Sequence, residues 1–240
     1  MQRIVPVEME EGQGARVKRL FPVPGLRHID PFVLFDHFFL ESGSGFPDHP
    51  HRGFEAVTYL LAGAMRHQDS LGNDSVVGVG GAQCFTAGSG IVHSEMPVGE
   101  APVEGLQLWV NLALADKALP AAYQAAPAES ISSRREDLVT VREIVAPDGP
   151  VRLHTPVVMR DLHFEAGGSR ALTVDEGEVG LLYVLQGPLY LSGQAYATGE
   201  AVTGEGPVEC ALLAPQGGRA VLLRAMPHGE PIRQHGPYVD

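Results

Sequence analysis

Cysteine is scarce in this 240-residue chain: Cys84 and Cys210 are the only two, and they fall in separate strand-like runs. Neither belongs to a Cys-x-x-Cys spacing, which removes a redox dithiol and a zinc ribbon. Two reduced thiols in a cytoplasmic protein are the expectation, rather than a disulfide framework. Basic charge is also thin, with 17 Lys and Arg against 29 Asp and Glu and a formal charge of -12. A phosphate-binding surface would need a local segregation of basic residues that the sequence does not show, so direct nucleic-acid binding is not expected. No uninterrupted apolar stretch is long enough to span a bilayer. Met1 to Gly14 is charged and lacks the apolar segment of a secretory signal.

Glycine and proline are plentiful, at 29 and 19 residues, and they punctuate many short β-branched and aromatic runs. That pattern predicts an all-β barrel or sandwich fold. With 44% hydrophobic and 19% charged residues, the chain can bury a substantial core. The stretch from Leu114 to Glu143 differs, being Ala-rich and without sustained alternation, and reads as a connector with one or two short helical turns. The expected division is therefore a barrel over 1–113, a connector over 114–143 and a second barrel over 144–240. Two segments overlay across it: Glu55-Ala56-Val57-Thr58-Tyr59-Leu60-Leu61-Ala62-Gly63 parallels Val179-Gly180-Leu181-Leu182-Tyr183-Val184-Leu185-Gln186-Gly187. A duplicated barrel follows. In that register His49 falls on Thr173 and His51 on Asp175, so the second copy lacks these ligands.

His49-Pro50-His51 and His93-Ser94-Glu95 offer four metal-binding side chains as two i, i+2 pairs. In an extended backbone such pairs point to one face. Pro50 pushes His49 out of the α region, toward that geometry. A His-x-His also arises by chance on exposed loops, but here each pair adjoins a β-rich run with a glycine turn. Three imidazoles and a carboxylate suit a borderline divalent transition metal and leave octahedral positions free for oxygen or substrate.

The sequence resembles the pirin family, a branch of the bicupin proteins. The likeness rests on Asp30-Pro31-Phe32, Asp36-His37-Phe38, His49-Pro50-His51-Arg52-Gly53-Phe54-Glu55, Asp69-Ser70-Leu71-Gly72-Asn73, Thr86 to Glu95 and Gly105-Leu106-Gln107-Leu108-Trp109-Val110-Asn111. Near the end, Gly229-Glu230-Pro231-Ile232 and Gln234-His235-Gly236-Pro237-Tyr238 are also pirin-like. Within Ala115 to Met226 the likeness is mostly of layout. The resemblance implies two cupin-type β-barrels, with one divalent metal in the first, held by His49, His51, His93 and Glu95. Iron(II) is the expected metal, with manganese, cobalt, nickel, copper and zinc as alternatives. It also implies that Glu55, a ligand in many other cupins at this spacing, is not one here. Some family members open the flavonol ring with dioxygen, as quercetinases do. Others act as regulatory partners of transcription factors or metabolic enzymes.

A divalent metal with open positions would bind a flavonol hydroxyl and lower its pKa as a Lewis acid. Glu95 is the expected catalytic base, and Glu55 is its rival, with a barrel carboxylate paired to Arg52 or a backbone donor as the plainer reading of Glu55. Gln107, Trp109 and Asn111 share a strand face that would line the cavity or simply pack. His37 suits a core position better than a fifth ligand. His67 is expected to pair with Asp69, and His154, His163, His228 and His235 are expected to be structural or exposed. Two functions stand: a dioxygenase for a flavonol or another enolisable aromatic, with O2 as co-substrate, or an iron-binding module that controls a protein partner through its metal state.

Overall fold

Strands account for nearly all the regular structure in the computed structural model, which describes residues 1–240 and contains no α-helix. Leu114–Asp116 and Ala128–Ser130 are single 3-10 turns. No helix is long and apolar enough to cross a membrane.

The chain divides into two compact units. Val7–Ser130, Leu153–Thr155 and His228–Asp240 form the first, and Met1–Pro6, Ile131–Arg152 and Pro156–Pro227 form the second. This departs from linear boundaries at 113 and 143. Ala122–Ala126, inside the expected connector, pairs with Ala82–Thr86 as an edge strand of the first unit. Its alternation is too short and too Ala-rich to announce a strand, and the neighbouring edge supplies the ordering. Ser133–Glu136 and Val139–Val145 likewise belong to a sheet of the second unit.

Each unit is built from a seven-stranded and a four-stranded sheet. In the first, the larger sheet runs Ala122–Ala126, Ala82–Thr86, Phe54–Ala62, Val103–Asn111, Phe32–Leu40, Ala15–Phe21 and Val7–Glu11. The smaller runs Phe46–His51, Ile91–Pro97, Ala64–Asp69 and Asp74–Gly78. The second unit repeats this plan, with Val179–Gln186 third in its larger sheet, as Phe54–Ala62 is in the first. The sequence overlay of those two strands is thus matched by topology. The edge place taken by Ala122–Ala126 is filled there by Gln2–Ile4, from the opposite end of the chain.

The interiors differ. In the second unit one apolar cluster includes Val141, Leu162, Val184 and Leu222 of the larger sheet and Leu172, Leu191 and Leu212 of the smaller. In the first unit the apolar side chains form separate clusters, one around Phe38, Leu60 and Met65 and one around Phe54, Phe85 and Ile91. Buried polar residues, including His51, Thr58, His67, Gln83, His93 and Glu95, accompany them. In the second unit Thr173 and Asp175, placed by the overlay at His49 and His51, face the Arg224 guanidinium. Arg224 Nη1 donates at 2.7 Å to the Thr173 carbonyl and lies 3.5 Å from Asp175 Oδ2. Pairing register places Arg224 opposite Gly180 as Trp109 is opposite Ala56, so a fixed cation takes the place of the first unit's indole.

Residues 228–240 return to the first unit. Asp30 accepts the backbone N–H groups of His228 and Gly229 at 3.1 and 2.8 Å. The Val239 amide donates to the Arg52 carbonyl at 3.0 Å. Lys117 Nζ donates to the carbonyls of Gly53 and Val239, both at 2.8 Å, and to Asn111 Oδ1 at 2.6 Å. Gly53 permits this closure: its φ is +85°, and a Cβ there would stand 1.9 Å from the Val239 carbonyl oxygen. Gly53→Ala is expected to destabilise the protein by more than about 1 kcal/mol. It should also speed hydrogen exchange of the Val239 amide; unchanged exchange would show that the tail does not depend on this approach.

Candidate metal centre

The two histidine motifs lie on adjacent antiparallel strands. His93 in Ile91–Pro97 is directly opposite His49 in Phe46–His51, and His51 is opposite Ile91. Side chains opposite one another on the same face stand about 5 Å apart. The pairing thus gathers three imidazoles, with ring centroids at 4.6 Å (His49 to His51), 4.4 Å (His49 to His93) and 5.0 Å (His51 to His93). One nitrogen from each lies within 4.8 Å of the others.

Hydrogen bonds determine which nitrogens these are. His49 Nδ1 is 2.7 Å from the Pro47 carbonyl, His51 Nδ1 is 3.3 Å from the Pro237 carbonyl, and His93 Nδ1 is 3.4 Å from His67 Nδ1. Each Nδ1 is engaged, which leaves the three Nε2 atoms for a ligand. His93 Nε2 is buried without a hydrogen-bond partner. A buried polar atom in that state is costly unless something binds it. Burial, reinforced by His49, pushes His51 down to about 3. Burial, with His49, His51 and His67 nearby, holds His93 well below the usual imidazole range. Both rings are therefore neutral at neutral pH, the form that ligates. The residues fit a divalent transition metal on this chemistry.

A register shift between His93 and Glu95 marks a bulge in the ladder, and bulges re-aim side chains. Glu95 lines the same cavity as His49 and His51. Its Oε1 accepts from Thr58 Oγ1 at 2.8 Å and Gln83 Nε2 at 2.6 Å. The chain continues outward: Tyr123 Oη donates to Gln83 Oε1 at 3.1 Å and lies 2.5 Å from Ser75 Oγ. Burial raises the Tyr123 phenol to about 12, so it remains a neutral donor. The Tyr123 ring also stacks on His67, with centroids at 4.1 Å and planes 11° apart.

The cavity has a volume of about 730 Å³ and reaches from His49, His51 and Glu95 past Trp109, Leu34 and Phe38 to Arg19, Arg27 and Asp36. Its size and mixed walls suit a small organic ligand. Gln234, Gly236 and Pro237 of the returning tail contribute to its wall. Arg19 is held by Asp36 through bonds of 2.8 and 2.6 Å and by Glu11 at 2.8 Å. Arg27 is exposed at the rim.

Glu55 has a different setting from the one a rival base requires. It is fully buried and accepts from Thr86 Oγ1 at 2.8 Å, the His154 amide at 2.8 Å, His154 Nδ1 at 2.9 Å and the Thr155 amide at 3.3 Å. Glu55 and Thr58 are three apart on one strand, so they occupy opposite faces, and Thr58 is the one that reaches Glu95. The backbone-donor reading of Glu55 holds, whereas Arg52 pairs with Asp240 at 2.8 Å. Gln107 and Trp109 line the cavity, as their shared face allowed, but Asn111 is drawn to Lys117. His37 is buried and bonded to Glu104 at 2.8 Å. His67 pairs with Asp69 at 3.1 Å as expected. Its contact with His93 was not apparent in sequence, nor were the parts of Thr58, Gln83 and Tyr123. Both cysteines are free thiols.

Two-sheet β units repeated within one chain, of which only the first gathers imidazoles around a cavity, define a bicupin. The Pirin family model matches residues 14–110. Human Pirin is 40% identical over 245 residues, covering 97% of this chain and 84% of that protein. A solved structure of quercetin 2,3-dioxygenase from Acinetobacter baumannii superposes with a TM-score of 0.89 at 29% identity, covering 100% of this chain and 90% of that one. A bacterial pirin from Escherichia coli in complex with nickel(II) shares the fold, with a TM-score of 0.80 at 20% identity, over 94% of this chain and 98% of that one. The chain belongs to the pirin family.

Glu55→Gln is expected to lower stability by about 1–3 kcal/mol, because buried donors lose a charged acceptor, while metal content stays at the wild-type level. Urea denaturation and elemental analysis check the two halves; loss of metal would return Glu55 to the site.

Proposed function

We propose that this protein is a metal-dependent dioxygenase of quercetin 2,3-dioxygenase type, opening a flavonol or similar enolisable aromatic with O2 in the cytoplasm. The observation that carries the reading is the gathering of three imidazoles, each with its Nδ1 engaged, beside a cavity of about 730 Å³ that His49 and His51 line. Likeness to a quercetin 2,3-dioxygenase over the whole chain supports it. His49, His51, His93 and Glu95 would hold one divalent transition metal, with iron(II) foremost. When bound, that ion supplies Lewis acidity that lowers the pKa of an enol hydroxyl and a centre at which dioxygen reacts.

The remaining work falls to the chain. Trp109, Phe38 and Leu34 supply flat and apolar walls against which an aromatic ligand excludes water. Thr58 and Gln83 fix Oε1 of Glu95, so Oε2 is the oxygen that would both hold the metal and, as the carboxylate shifts between binding modes, accept the substrate's hydroxyl proton. The uncharged Tyr123–Gln83 chain behind it places no competing carboxylate there.

The wild-type protein should bind one metal ion, and the His49→Ala, His51→Ala double variant none; full metal content in that variant by elemental analysis would refute the site. Metal-loaded wild type should consume dioxygen when given quercetin. Glu95→Gln with metal retained should lower turnover about 100-fold or more, with a smaller change in substrate affinity. Undiminished turnover would pass the base role to the metal alone. Absence of quercetin-dependent uptake with iron, manganese, cobalt, nickel or copper would leave the metal-binding regulatory module as the reading.

A further inference from the structure

The stretch Asp69-Ser70-Leu71-Gly72-Asn73 stands out in the sequence, yet none of its side chains enters the cavity lining. Its geometry leads to the metal centre from behind. Asp69 Oδ1 accepts the amides of Leu71 and Asn73 at 2.9 and 3.0 Å, and Oδ2 accepts Asn73 Nδ2 at 2.8 Å. Three donors thus fix the carboxylate within its own turn. The side chains of Asp69 and His67 are both shut off from solvent, and His67 Nε2 lies 3.1 Å from Asp69 Oδ2. On the far side of the same ring, His67 Nδ1 lies 3.4 Å from His93 Nδ1. The ring is clamped by the Tyr123 stack at 4.1 Å.

An ionised carboxylate only accepts, so His67 must donate from Nε2, which leaves its Nδ1 as an acceptor. His93 must then donate from Nδ1, which leaves its Nε2 lone pair facing His49 and His51. We infer that Asp69 and His67 are positioning residues that fix the ring proton of His93 on Nδ1, so that its Nε2 stands ready as a ligand before any metal arrives. The inference rests on the metal reading of the three histidines. Neither Asp69 nor His67 lines the cavity or belongs to the three-histidine cluster.

Asp69→Asn tests the charge with almost no change of shape. Two backbone N–H groups hold the Oδ1 position, so the amide nitrogen of the variant takes the Oδ2 position, where the Asn73 side chain turns its oxygen to accept one N–H and the other N–H faces His67 Nε2. His67 then accepts at Nε2 and donates at Nδ1, and His93 is driven to carry its proton on Nε2. A carboxylate beside a histidine fixes a tautomer in this way, and its amide analogue inverts it. In the metal-free full chain, long-range 1H–15N correlation should report His93 protonated at Nδ1 in the wild type and at Nε2 in Asp69→Asn. Zinc titration should show one-to-one binding in the wild type, weakened about 10- to 100-fold in the variant. His67→Phe, which keeps the stack on Tyr123 but removes the acceptor, should weaken zinc to a similar degree and serves if Asp69→Asn fails to fold. A wild-type His93 protonated at Nε2, or zinc affinity unchanged in the folded variants, overturns the inference while leaving the metal site intact. Failure of the wild type to bind zinc at all overturns both.

Discussion

An imidazole can offer a metal only the nitrogen that carries no proton, so the donor set depends on where three histidines keep their ring protons. Each answer comes from a different part of the first unit. His49 is turned by a carbonyl of its own strand, His51 by the Pro237 carbonyl, and His93 by a neighbouring ring. Cross-strand pairing brings the rings within about 5 Å of one another, but it does not choose between Nδ1 and Nε2. Burial contributes the other half by keeping the inner rings neutral. The apolar interior is correspondingly divided, since a polar centre that must stay desolvated needs hydrophobic side chains around it.

The second unit shows what the same plan does without that centre. Its interior closes over leucines and valines of both sheets. At the position matching Trp109 it has Arg224, whose guanidinium reaches the residues matching His49 and His51. Trp109 leaves room for a ligand and stacks on Phe54 at 4.2 Å; Arg224 brings its own positive charge. One copy thus gathers three imidazoles that could hold a cation, whereas the other has a positive charge covalently attached.

The site was legible in sequence where side chains come in short, regular spacing. His49-Pro50-His51 declared an extended pair, and the overlay of residues 55–63 on 179–187 revealed the repeat that sheet order bears out. What could not be read depends on long-range pairing. Tyr123 sits in an Ala-rich stretch without a strand signal, and becomes part of the network behind Glu95 only because Ala122–Ala126 pairs with Ala82–Thr86. The separate roles of the two glutamates follow from strand faces, since Glu55 and Thr58 are three apart and cannot share one; that alternation was available, but choosing the inner face required the register. The unit boundaries were hidden for a related reason, because exchange of chain ends leaves no mark on local composition.

The return of residues 228–240 also sets an order of events. The carbonyl that turns His51 belongs to Pro237, 186 residues further along the chain. Asp30, Arg52 and Lys117, which fasten this tail, are made long before it. The strands that bring His49 and His93 together come from residues 46–97, yet the orienting acceptor of His51 exists only once the second unit's sequence has been translated. The three-histidine cluster therefore needs residue 237 as well as residues 49–93, so its geometry is non-local although its motifs are short.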